Sequence, residues 1–529
     1  KQILRGVSAH ASSGQVLAII GASGSGKTTL LDRLANVDMI PGGEWSGKIT
    51  VNSADLTNEV FRRNCAYIHQ DDRLWGALTV YENLQIASQL YNANCSPEQR
   101  EGRIEEVLEA TGLTSCKHNK VGNVLIKGIS GGQRRRVSIA VELMGSAQLM
   151  FLDEPTSGLD SKSAAEVMQL LTSLAKSLNI VIVCSIHQPS TRTFLAFDLT
   201  LLLSQGKVAY FGPAKDALSY FESQGFKSPP NMNPADYLIE ISNPDFTTSQ
   251  QVDKIIDLKE RNRKIPLSTT SLSSPTHAAS CIWQVLILCR RMTMSYMRDP
   301  GAYLGRAVLY TAMSTIFGII YVGSRSKTQE HVLDILFTIA WGMATPSYMA
   351  SMILPVFTFE RAIFGKEVKN GMYSPISYVI ATSCVQVIFV FMTSTLSVIP
   401  YYWIDNINPD PSVFLAFWLL QFSFLFTIES LCVIFSALIP NFIIALGVTV
   451  STLSNFFVFN GLFVTPSSIP WVFRWIEYIS PHAYATRGLS KLAFSGQAFS
   501  GFDDCIASCF GRDGDEVLDN VQGLSSNVN

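Results

Sequence analysis

Gly21-Ala22-Ser23-Gly24-Ser25-Gly26-Lys27-Thr28-Thr29 is the stretch of this 529-residue chain whose side chains most plainly spell a chemistry. Its three glycines let backbone N–H groups turn toward an anion that a Cβ would keep away. The apolar run 16–20 before it predicts a buried strand, and the run 30–34 after it predicts a helix. The N-terminus of that helix adds a positive dipole end. Strand, glycine loop and helix together make a phosphate-binding loop. In such a loop Lys27 reaches the β- and γ-phosphates of a nucleotide, and the Thr28 hydroxyl sits on Mg²⁺.

Further candidates follow in order. Gln70 closes a short predicted strand at 66–69. There it can sense Mg²⁺ and the attacking water, although taken by itself it reads as a surface glutamine. Ser130-Gly131-Gly132-Gln133 precedes an apolar helix at 137–144 and offers a second cluster of free N–H groups. The competing reading is a capped helix with a solvated run of Arg134, Arg135 and Arg136. Spacing favours the anion site, because the apolar strand 148–152 soon follows and ends in Asp153-Glu154. Asp153 at that point holds Mg²⁺, and Glu154 polarises the water that attacks the γ-phosphate. Ser157-Gly158-Leu159-Asp160 comes next. The apolar strand 180–186 then runs into His187, where a γ-phosphate sensor is needed. A lone histidine after a buried strand is otherwise a structural residue.

These residues need two kinds of scaffold. The length predicts two or three domains. Net charge is −2, so bulk basicity gives no reason to expect a nucleic-acid partner. Apolar residues make up 47% and charged residues only 16%, and the charges thin out between about 301 and 470. A soluble α/β part therefore precedes a helical membrane part. Ten cysteines are scattered without zinc-like spacing. The chain is expected to begin inside a longer protein, with no signal peptide expected ahead of the first strand.

Taken together, the motifs resemble, in order, those of the ATP-binding cassette family: Walker A, Q-loop at Gln70, signature at Ser130 to Gln133, Walker B, D-loop with Asp160 and H-loop at His187. The run Tyr210-Phe211-Gly212-Pro213 and then Asn233-Pro234-Ala235-Asp236-Tyr237-Leu238 resembles subfamily G, the White type. The resemblance implies ATP and Mg²⁺ as ligands and a head-to-tail dimer. In it the signature of one cassette caps the ATP held by the P-loop of the other. With one P-loop and one signature, this chain is expected to need a second copy or a paralogous half-transporter. The adenine-stacking aromatic is expected upstream of Lys1.

Residues 1–245 are thus the expected nucleotide-binding domain, 246–280 a polar linker and 281–300 a basic amphipathic connecting helix on the inner membrane surface. Five apolar stretches, at 304–323, 332–357, 376–400, 412–437 and 440–463, approach the ~20 residues that cross a bilayer. Arg361, Lys366 and Lys369 in the segment 359–373, read as an inner loop, and the acids of 405–411 place the cassette in the cytosol. Glu429 within the fourth stretch is costly there, so it serves either function or packing against a neighbouring helix. An interfacial helix is expected at 471–484 and an outer loop over 464–529, with a sixth span missing from the chain.

By resemblance, Tyr348, Phe457 and Asn460 line a substrate cavity and Gly461-Leu462-Phe463 forms an apolar gate. Cys505 and Cys509 would lie in an oxidising compartment, paired with each other or with a partner chain. The implied activity is ATP-driven export of an amphipathic or lipidic solute, such as a sterol, lipid or xenobiotic, most readily at the plasma membrane. The alternative is a regulatory half that binds ATP but depends on an active partner. A soluble ATPase sharing these motifs is disfavoured by the apolar spans.

Overall fold

The computed structural model describes the chain except residues 1, 37–43, 53, 124–125, 146, 244–278, 300–302, 465–467, 504–508 and 522–529. It folds as two units. The first comprises residues 1–288 with 363–378, and the second 289–362 with 379–529. The linker expected at 246–280 falls almost wholly outside the described residues.

The first unit is built on β1 (Val16–Gly21), α1 (Lys27–Leu34), the short hairpin β2 (Thr50–Val51) and β3 (Ala54–Asp55), α2 (Asn58–Asn64) and β4 (Cys65–Ile68). There follow α3 (Val80–Tyr91), α4 (Pro97–Ala110), α5 (Gly131–Leu143), β5 (Leu149–Leu152), α6 (Ser161–Leu178) and β6 (Val181–Ser185). The unit continues through α7 (Thr191–Phe194), β7 (Leu199–Ser204), β8 (Lys207–Pro213), α8 (Ala217–Ser223) and α9 (Pro234–Ser242). The six-stranded sheet runs β4-β5-β6-β1-β7-β8. It is parallel from β4 to β7, and β8 closes it as an antiparallel hairpin. Every residue of β1 is buried, which is why its sequence is a continuous apolar run rather than an alternating one. The glycine loop leaves β1 at its carboxyl end, between β6 and β7, where sheets of this kind bind ligands.

Helix starts follow capping chemistry. Thr79 and Glu82, Ser96 and Gln99, and Ser130 and Gln133 each close a reciprocal capping box, satisfying two otherwise orphaned N–H groups per helix. Beside α2 and β4, Phe61 and Tyr67 join Leu30, Leu31 and Phe151 in the core that carries the loop.

The helical part contains α10 (Cys281–Arg298), α11 (Gly305–Ile320), α12 (Val332–Ala350), α13 (Leu354–Lys369), α14 (Pro375–Ile404), α15 (Pro411–Leu438), α16 (Phe442–Val458), α17 (Arg474–Ile479) and α18 (Pro481–Phe494). By length and composition, Pro375–Ile404 and Pro411–Leu438 are long and apolar enough to cross a bilayer. Gly305–Ile320 and Phe442–Val458 are apolar but shorter. The apolar stretch 332–357 is not one helix. It breaks at a 3₁₀ turn, Ser351–Ile353, and α13 then runs to Lys369. Most of the segment 359–373, expected to be a loop, is therefore helical. Residues 471–484 are likewise divided between α17 and α18 rather than forming one interfacial helix.

Inside the second unit, Arg306 on α11 and Glu429 on α15 form a fully buried ion pair, and Arg306 also donates to the Tyr310 hydroxyl at 3.0 Å. Glu429 is thus a packing partner between helices, which is one of the two roles expected for it. Cys509 is disulfide-bonded. Cys505 lies outside the described residues.

Candidate nucleotide-binding site

The loop owes its shape to two glycines in particular. A Cβ on Gly21, at φ +152°, would stand 2.3 Å from the Leu203 carbonyl oxygen. Gly26 caps α1 in the left-handed region at φ 102°, which only glycine adopts without strain. Between them the Lys27 ammonium curls back to donate to the carbonyls of Gly21 (2.8 Å) and Ala22 (3.0 Å). Burial pushes Lys27 below its usual range, while the nearby Glu154 and Asp153 carboxylates act in the opposite direction. The buried Ser25 hydroxyl has no protein partner. A glycine loop that carries a buried cation and an orphaned hydroxyl fits a bound polyphosphate.

Across from it, the ends of β4, β5 and β6 bring together residues far apart in sequence. Gln70 donates to the Glu154 carboxylate at 3.0 Å and to the Ser157 hydroxyl at 3.2 Å. Glu154 takes a left-handed backbone conformation, φ 43°, that a non-glycine residue adopts at a cost. Its N–H donates to the Ser185 hydroxyl (2.9 Å), and Ser185 in turn donates to Asp153 (2.6 Å). Asp153 is raised above the usual carboxylate range chiefly by burial, with the Ser185 bond opposing that shift. His187 stands exposed just beyond β6.

The signature residues open α5. Ser130 is its cap, and Gly131 and Gly132 lie against Leu159 and Ser163, so the signature adjoins the turn that ends in Asp160. Asp160 is exposed and caps α6, and the bonds it accepts from Ser163 hold its carboxyl below the usual range.

The arginine run is not uniformly solvated. Arg135 is 3% exposed and donates to the backbone carbonyls of His69 and Gln70, while pairing with Asp72 at 3.2 Å. Ser138 donates to the same Asp72 at 2.9 Å. Arg135 therefore ties the signature helix to the Gln70 turn. Sequence reasoning missed it, though Arg135, Ser138 and Glu142 recur at helical spacing along one buried polar stripe of α5. His69, beside Arg73, Lys366 and Lys369, is pushed down to about 3, mainly by burial.

In the helical unit, the Tyr348 hydroxyl bonds Ser454 at 3.1 Å, and Phe457 packs on Trp341, Tyr348 and Phe463. Asn460 is fully buried and spends its side-chain carbonyl on the N–H groups of Leu462 and Phe463.

Comparison with known proteins agrees with this architecture. The family profile described as ABC transporter matches residues 4–157, and two described as ABC-2 type transporter match 284–494 and 187–258. ABC transporter G family member 1 of Petunia hybrida is 32% identical over 94% of this chain and 81% of its own length. ABC transporter G family member 11 of Arabidopsis thaliana is 31% identical over 98% and 78%, and ATP-binding cassette sub-family G member 8 of Homo sapiens is 31% identical over 92% and 77%. With an ATP-hydrolysing cassette followed by an ABC-2 membrane region, the chain belongs to the G family of ATP-binding cassette transporters, which couple ATP hydrolysis to transport.

Proposed function

We propose that the protein is a half-transporter that pairs with a second copy or a paralogue to export an amphipathic or lipidic solute. The observation that supports it most is the hydrogen-bonded series Gln70, Glu154, Ser185 and Asp153 facing the Lys27 loop. In this reading the N–H groups of residues 21–29 and the Lys27 ammonium bind the phosphates of ATP. Thr28, Asp153 and Gln70 hold Mg²⁺, which when bound neutralises phosphate charge. Glu154 orients the attacking water and takes its proton, and Gln70 fixes the carboxylate through its amide. His187 steadies the γ-phosphate. Ser130 to Gln133 and Asp160 complete the pocket of the opposing cassette.

The solute class is supported by an aromatic cluster in the helical unit. Tyr348 and Phe457 belong to a cluster with Trp341 and Phe463, a surface that suits flat or flexible apolar bodies. The protein is read as multi-pass, with its cassette in the cytosol and the plasma membrane as its most natural site. ATPase activity of the purified protein in nanodiscs, measured with sterols, phospholipids and drug-like amphipaths, tests this. Stimulation by at least one class, at a rate that depends on dimer content, is expected. Full activity of isolated protomers would overturn the shared pocket, and indifference to every amphipath would overturn the solute class.

A further inference from the structure

Among the described residues, strand β4 is the edge of the six-stranded sheet, with β5 on one side and no strand on the other. The outer edge of such a strand carries N–H and C=O groups that need partners when buried. Tyr67, 1% exposed, has both of its backbone groups satisfied by one side chain. Its N–H donates to the Asn370 side-chain carbonyl at 3.0 Å, and its C=O accepts from the Asn370 amide at 3.1 Å. Asn370, itself 3% exposed, thus takes the place of a neighbouring strand. It lies in the segment 363–378, which packs within the first unit although it joins α13 to α14.

The ring of Tyr67 points the other way along the same link. Its hydroxyl donates to the Asp32 carboxylate at 2.7 Å. Asp32 is buried on α1, one turn after Thr28 and just beyond Lys27. The Lys369 ammonium, next to Asn370, stands 4.9 Å from the Tyr67 ring centre and 5.2 Å from that of Phe61. Burial raises the Asp32 carboxyl, and the Tyr67 hydroxyl and the Lys369 charge act against that.

We propose that Asn370, Tyr67 and Asp32 form a positioning relay that fixes the P-loop helix for nucleotide binding. This rests on the reading of residues 21–29 as the phosphate cradle. The amide of Asn370 fixes the height of the β4 edge. That edge sets where the Tyr67 hydroxyl stands, and the hydroxyl holds α1 through Asp32. The first turn of α1 supplies Lys27 and Thr28, so the relay sets affinity for ATP rather than the chemical step.

The test measures binding of a fluorescent ATP analogue with Mg²⁺, together with KM and kcat for ATP, in the full-length protein. Variants are Asn370→Ala, Tyr67→Phe, the two combined, and Asp32→Asn, which keeps an acceptor for the hydroxyl. Loss of one such buried bond corresponds to about five- to tenfold weaker binding. Each of the first two variants is expected to lose that much affinity, with kcat little changed. The double variant is expected to be no weaker than the weaker single, as members of one series are not additive. Asp32→Asn is expected to stay near wild type. Additive losses, or a Tyr67→Phe protein of unchanged affinity, overturn the relay. Should Asn370→Ala fail to fold, the Tyr67→Phe and Asp32→Asn pair decides alone, because removing one hydroxyl leaves the sheet edge capped. Wild-type protein that binds no analogue would overturn the nucleotide reading itself, and the relay with it.

Discussion

Lys366 and Glu142 meet at 3.0 Å, with their side chains 3% and 1% exposed. Glu142 ends the polar stripe of the signature helix α5, and Lys366 comes from the segment 363–378 that packs in the same unit. A buried pair of this kind adds little over an apolar replacement, but either charge left alone is costly. Lys366→Met should therefore lower stability by about 3–5 kcal/mol. Lys366→Met with Glu142→Leu should recover much of the loss. Thermal melting of the three proteins in one detergent decides this, and equal melting of the single and double variants would refute it.

Replacement of Glu154 by glutamine keeps the bond to Gln70 within reach but removes the proton acceptor. Steady-state turnover should fall by about a hundredfold or more, while ATP binding is retained. Phosphate release and nucleotide retention, measured on the same preparation, check both halves. Near-wild-type turnover would remove Glu154 from its assigned role.

Arg135 reaches two carbonyls and a carboxylate with one planar fork. A lysine has a point charge and cannot span all three acceptors. Arg135→Lys should lower kcat/KM for ATP by about tenfold, as charge-assisted bonds to the Gln70 turn are lost. Ser138→Ala, which removes only the neighbour on Asp72, should cost less. The order of the two effects is the check.

The depressed His69 gives a pH dependence of known sign. Its folded value, about 3, lies below the ordinary 6.5, so the unfolded chain binds more protons between the two. Stability should fall as pH drops below about 6.5 and hold steady above it. His69→Gln should flatten that slope in melting curves taken from pH 5 to 8. An unchanged slope would assign the acid sensitivity to other groups.

The phosphate loop could be read from sequence because its chemistry demands residue types that nothing else at that spacing requires. Its helix and strand were equally plain, since β1 is buried on both faces and so runs apolar without a break. Arg135 was hidden because three consecutive arginines look solvated, and only the packing of α5 shows which one turns inward. Asn370 and Lys366 were hidden for another reason. Their partners lie 303 and 224 residues upstream, from 370 to 67 and from 366 to 142, and no local period signals such a meeting. The charges of 359–373 suggested a loop because charge normally means solvent, yet Glu360, Lys366 and Glu367 are buried. Pairing removed the penalty that the loop reading assumed.

The Arg306 and Glu429 pair also sets a timetable for the growing polypeptide. The guanidinium leaves the ribosome 123 residues ahead of its counter-ion. At ordinary translation speed that is an interval of roughly 6–25 s. During it, α11 carries at its N-terminal end a cation whose carboxylate partner has not yet been made. The buried pair can therefore close only once α15 has been made, so the contact between α11 and α15 cannot precede synthesis of more than a hundred intervening residues.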